Sequence, residues 1–128
     1  MATERKQVYK CLVCGIVVET LDGGAGEPVC CGRPMELQRP NAADAEPGKH
    51  VPVLSGSEDA GWTVTVGEQP HPMAPKHHIQ WVSIRKGPHL CRRELSPGDR
   101  PRAEFSPGPR PEEVRAFCNL HGLWEAQG

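Results

Sequence analysis

The sequence predicts a mostly β protein, a small metal-stapled segment followed by an antiparallel sandwich, and three observations carry that expectation. Fourteen prolines and fourteen glycines are spread through the 128 residues, a composition that interrupts helices and closes turns. Stretches such as "GWTVTVG" and "HIQWVSIRKG" are rich in β-branched and aromatic residues and bounded by turn formers. Four of the six cysteines fall within residues 1 to about 37, a piece too short to hold itself together by apolar burial alone. Hydrophobic residues are 37% and aromatics 5%, so the whole chain has little core material and suits two very small domains.

In the first segment, "YKCLVCG" and "VCCG" supply Cys11, Cys14, Cys30 and Cys31. A Cys-x-x-Cys loop turns both sulfurs toward one point, and Gly15 directly after it can take the positive φ that lets backbone N–H groups approach them. Four thiolates at this spacing form a tetrahedral site for zinc or iron, zinc being the commoner occupant of such a pattern. Disulfides fit poorly, because adjacent Cys30 and Cys31 cannot readily bridge each other, although each could cross to the first pair. The Gly-rich "LDGGAGEPV" has no Gly-Lys-Ser/Thr after it and reads as a turn rather than a phosphate cradle. "RPNAADAEPGK" lacks apolar periodicity and reads as a linker.

The second segment, from about residue 49, holds all six histidines. "GWTVTVG" sets Trp62, Val64 and Val66 on one face and Thr63 and Thr65 on the other, the pattern of a half-buried strand. "HIQWVSIRKG" ends at Gly87-Pro88, and "HLCRREL" and "RAEFSPG" are shorter strand candidates. "RPEEVRAF" is ambiguous: Pro111 and two glutamates suit a helix start, whereas Val114, Ala116 and Cys118 alternate as in a strand. Short strands at regular intervals with turns between them predict a small sandwich.

Net charge is −1 and the longest basic run is Arg92-Arg93, which argues against nucleic-acid binding. The polar start "MATERKQVYK" and the lack of any long apolar stretch predict a soluble, unexported protein with no membrane association. A cytoplasmic location makes metal or redox chemistry the better use of six cysteines than disulfides.

The remaining candidate ligands are His50, His71, His77, His78, His89, Cys91, and the Cys118/His121 pair in "CNLHGLW". Each alone is ordinary, but three imidazoles suffice for a catalytic metal site, and a thiolate moves preference toward iron or copper. A blue-copper centre with Met73 needs only two histidines, and the segment offers several more.

Taken in order, "VYKCLVCG", "VCCG", "KHVPV", "HPM", "KHHIQW" and "CNLHGLW" resemble desulfoferrodoxin, the two-domain form of the superoxide reductases. The resemblance implies a desulforedoxin-like domain over residues 1–37, a linker over 38–48, and an immunoglobulin-like sandwich over 49–128. It implies two irons per chain: Fe(Cys)4 on Cys11, Cys14, Cys30 and Cys31, and a second iron with equatorial His50, His71, His77 and His121 and axial Cys118. The implied reaction is one-electron reduction of superoxide to hydrogen peroxide, with Lys49 attracting the anion and rubredoxin or a similar small protein restoring the electron. It also implies a homodimer. Two positions depart from the family pattern: Gly48 stands where a glutamate often precedes the lysine, with Glu46 two residues earlier, and His78 stands where an aromatic residue is usual. The residues alone leave two rivals, a non-catalytic zinc protein and a simple electron carrier.

Overall fold

The computed structural model describes residues 3–42, 50–67 and 69–128. The chain divides into two compact units, Met1–Arg39 and Pro40–Gly128, and the described residues form strands, turns and loops without a helix.

The first unit has five short strands, β1 (Val8–Lys10), β2 (Val17–Glu19), β3 (Val29–Cys30), β4 (Arg33–Pro34) and β5 (Glu36–Gln38). One sheet runs β2-β1-β5 with antiparallel pairs, and β3 and β4 form a separate hairpin. The buried cluster beside the sulfurs comprises Tyr9, Cys11 and Met35, with Val18, Cys30 and Leu37 packed against them, and Val8 is buried as well. Two of the residues in that cluster, Cys11 and Cys30, are cysteines, so apolar burial here is inseparable from the sulfur cluster.

The second unit contains β6 (Pro52–Ser57), β7 (Gly61–Val66), β8 (Ile79–Lys86), β9 (His89–Glu94), β10 (Arg102–Phe105), β11 (Glu113–Cys118) and β12 (Gly122–Gln127). They form an immunoglobulin-like antiparallel sandwich, with sheet β10-β7-β6 facing sheet β12-β11-β8-β9. The core between the sheets comprises Trp62, Val64, Val66, Ile79, Val82, Ala103, Phe105, Val114, Ala116 and Cys118. Burying each of its larger apolar side chains is worth roughly 1.5–3 kcal/mol. As the alternation in "GWTVTVG" predicts, Trp62, Val64 and Val66 are buried while Thr63 and Thr65 are half-buried.

The ambiguity at "RPEEVRAF" resolves as strand β11, whose Val114, Ala116 and Cys118 point inward. The glutamates that suited a helix start face out and pair with arginines, Glu112 and Glu113 with Arg85 and Glu113 also with Arg115. Strands β6 and β12 carry no strong sequence pattern. Most of β6 is exposed and contains Ser and Gly, and in β12 the adjacent Leu123 and Trp124 are both buried on opposite faces, which erases the alternation. A bulge lies where β11 meets β8: Phe117 pairs with Trp81 but Cys118 pairs with Ile79, leaving Gln80 unpaired in the register. Bulges re-aim side chains, and this one sits at Cys118.

Candidate metal centres

In the first unit the sulfur donors of Cys11, Cys14, Cys30 and Cys31 all lie within 4.8 Å of one another. The Cys-x-x-Cys loop is closed by the Gly15 N–H donating to the Cys11 carbonyl at 2.9 Å, with Gly15 at φ 84°. The second pair comes from the β3–β4 hairpin, where Cys30 pairs with Arg33 across a two-residue turn of Cys31 (φ 53°) and Gly32 (φ 71°). Positive φ at both turn positions is the type I′ geometry, which favours Asn-Gly; a cysteine in the first position is costly unless its sulfur is needed there. The Cys14 N–H, 3.5 Å from the Cys11 sulfur, is the main cause lowering that thiol to about 6. The sulfurs of Cys11 and Cys14 beside Cys30 push its thiol up to about 12. Four thiols this close cannot all ionise without a cation between them, and a thiophilic metal supplies it. All six cysteines are free of disulfides.

In the second unit five donors converge: His50, His71, His77, Cys118 and His121, again all within 4.8 Å of one another. They come from four parts of the second unit. His50 precedes β6, His71 and His77 lie between β7 and β8, Cys118 ends β11, and His121 occupies the β11–β12 turn. The four imidazoles form a square. Neighbouring centroids are 4.8 Å apart for His50–His71, His50–His121 and His71–His77 and 4.9 Å for His77–His121, with the rings near perpendicular at 69–81°. A square of that side has a diagonal close to the 6.5 Å found between His50 and His77.

The nitrogens facing inward can be named for three of the rings. His50 Nε2 and His121 Nδ1 are 3.0 Å apart, and His121 Nδ1 is 3.7 Å from Cys118 Sγ. His71 Nδ1 donates to the Pro72 carbonyl at 2.7 Å, which fixes the ring and leaves Nε2 buried without a hydrogen-bond partner. Burial, the largest cause, with the neighbouring histidines adding to it, brings His71 down to about 4. It is therefore neutral near pH 7, the form that binds a metal. Cys118 is fully buried in the sandwich core whereas His121 is exposed, so the sulfur approaches the square from the inside.

An orphaned, neutral, buried imidazole nitrogen and a thiolate under a square of histidines fit a metal with more than four ligands. That exceeds the tetrahedral preference of structural zinc and suits iron. Both donor sets thus fit iron, one at each centre.

The other candidates are elsewhere. His78 Nδ1 bonds the Ala74 carbonyl at 3.2 Å, and His89 and Cys91 are exposed on β9, outside the cluster. Met73, the possible copper ligand, instead takes the Ile79 N–H on its sulfur at 3.4 Å and packs on the core. Lys49, Gly48 and Glu46 lie outside the described residues. Two contributors escaped the sequence reading. Trp124 stacks on His50 at 4.6 Å and 18°, and Asn119 bonds the loop that carries His77. Only their position inside or beside the Cys-x-x-His turn signals them in sequence.

Fold and centres define a non-haem metalloprotein with one all-sulfur site and one nitrogen-rich site on separate units. The desulfoferrodoxin family profile matches residues 42–127, and the desulfoferrodoxin N-terminal domain profile matches residues 3–38. The chain belongs to the desulfoferrodoxin family. It is 50% identical over 125 residues to a desulfoferrodoxin of Syntrophotalea carbinolica, covering 98% of each chain. To a desulfoferrodoxin homolog of Methanothermobacter thermautotrophicus it is 48% identical over 128 residues, covering 95% of this chain and 98% of the relative. Among solved structures, the superoxide reductase from Treponema pallidum superposes with a TM-score of 0.78 at 27% identity, covering 94% of this chain and 97% of that one.

Proposed function

We infer that this chain is a superoxide reductase: superoxide, one electron and two protons become hydrogen peroxide, and no oxygen is released. The observation that carries the reading is the square of four imidazoles with a buried thiolate behind it. Ferrous iron, which His50, His71, His77, His121 and Cys118 would hold, would supply the electron. His50, His71, His77 and His121 would bind it as imidazole donors, leaving Cys118 as the ligand that would contribute charge. Cys118, reaching the square from the core, would donate electron density to the ion, as proximal thiolates do in haem enzymes, and so favour protonation and release of the product. Five donors would leave such an ion room to bind substrate on the side away from the core. Lys49, adjacent to His50 in sequence, attracts the superoxide anion and stabilises developing negative charge.

The domain reading assigns residues 1–37 to the Fe(Cys)4 domain with ligands Cys11, Cys14, Cys30 and Cys31, residues 38–48 to the linker, and residues 49–128 to the catalytic domain. The compact units Met1–Arg39 and Pro40–Gly128 and the family profiles over residues 3–38 and 42–127 support this reading. Family resemblance further supports a rubredoxin-type electron donor and a homodimer. Six free cysteines fit a reducing compartment, hence the cytoplasm, and no helix among the described residues is long and apolar enough to cross a membrane.

Anaerobic mixing of the reduced protein with superoxide tests the reading. One peroxide per superoxide with no oxygen is expected; oxygen release in dismutation stoichiometry overturns it. Zinc at both centres of natively purified protein would favour the structural rival instead.

A further inference from the structure

His77 is held on both edges of its backbone. On one edge its own N–H and carbonyl exchange bonds with Ala74, at 3.1 and 3.0 Å. On the other edge, the flanking Lys76 carbonyl and His78 N–H face outward, as the groups either side of any extended residue do. Among the described residues no strand meets them. A side chain does: the Asn119 amide accepts the His78 N–H on Oδ1 at 2.9 Å and donates from Nδ2 to the Lys76 carbonyl at 3.0 Å. The Asn119 backbone N–H adds a third bond, to the His78 carbonyl, at 3.2 Å. An asparagine amide presents the same donor and acceptor as a peptide, so here it completes a ladder one residue long around His77.

Asn119 immediately follows Cys118 and lies two residues before His121. We propose that Asn119 is a positioning residue that sets the spacing of His77 from Cys118 and His121, and thereby the grip and electronic environment of the second iron. The proposal rests on assigning those five donors to iron. No other side chain type does the same work at this length. Aspartate keeps the acceptor for His78 but sets a carboxylate oxygen against the Lys76 carbonyl, glutamine is one methylene too long, and alanine leaves both backbone groups unanswered. Groups that orient a ligand without touching the metal typically contribute about 10–100-fold in metal affinity.

The test compares iron release to a ferrous chelator in the intact two-iron protein, wild type against Asn119→Ala and Asn119→Asp, with the Fe(Cys)4 centre as internal control. The second iron should leave about tenfold faster or more in Asn119→Ala, with Asn119→Asp between the two. The thiolate-to-iron absorption and midpoint potential of that centre should shift while those of the first stay put, which general destabilisation would not produce. Wild-type release, absorption and potential in both variants overturn the proposal, and if Asn119→Ala does not fold, wild-type values in Asn119→Asp alone do so. Failure of the site assignment is read separately: Cys14→Ser protein, carrying the wild-type Asn119, would then bind no iron at the second unit.

Discussion

The two units solve the same problem, holding a metal on a small β scaffold, in opposite ways. In the first, the donors come in two close pairs, Cys11/Cys14 and Cys30/Cys31, and the described residues buried around them are few, Val8, Tyr9, Met35 and the donor Cys11 itself. In the second, donors spread from His50 to His121 are brought together by a sandwich whose inter-sheet cluster, among the described residues, holds ten buried side chains, Cys118 being the one donor in it. The metal therefore makes the first fold, whereas the second fold makes its metal site. A scaffold that stands by itself can hold donors in a geometry that leaves room for substrate; one that depends on its ion must close around it.

The largest expected effect separates these dependences. Cys14→Ser, or removal of the first metal, should unfold residues 3–39 while the sandwich keeps its cooperative transition, as monitored by backbone amide dispersion. A first unit that stays folded without metal breaks the contrast. In the reverse direction, Trp62→Ala removes a buried indole whose N–H bonds the Gly108 carbonyl at 3.0 Å and over which Arg110 stacks. It should destabilise the second unit by about 3–5 kcal/mol in denaturant titration, leaving the absorption of the sulfur centre unchanged.

Cys118→Ser replaces the one donor that enters from the core. Peroxide formation should fall by more than the roughly 10–100-fold typical of groups one layer removed from a metal, and the thiolate-to-iron band should vanish. Retained activity would remove the axial role. Lys49→Ala sharpens the difference in substrate access and has the smallest expected effect. Capture of superoxide should slow about tenfold at low ionic strength, and the difference should shrink as salt is added, since the screening length is about 8 Å at physiological ionic strength. Stopped-flow rates across a salt series measure it, and a salt-independent deficit would mean that the lysine does not steer.

The units also differ in how much of them could be read in advance. Cys-x-x-Cys and the following Gly15 declare a local turn, and turns are set by near neighbours, so the first set of donors was visible from spacing alone. Strands β7 and β8 were visible because one face is apolar. Strand β12 was not, because Leu123 and Trp124 are buried on opposite sides. For the second centre the candidate residue types were visible, but which histidines join Cys118 followed from resemblance to a family rather than from spacing. His78 sits beside a ligand in sequence, yet its side chain bonds Ala74. Asn119 was signalled only by its place inside the Cys-x-x-His turn, since its partners are backbone groups more than forty residues away.

By itself the sequence determined the local chemistry: the sulfur pairs, the turn residues that present them, and the alternation that makes strands. Only the tertiary structure decided which distant side chains share a point in space. The square of imidazoles depends on strand register, on the bulge before Cys118 and on the pairing of loops, and those are settled by packing between residues far apart in the chain.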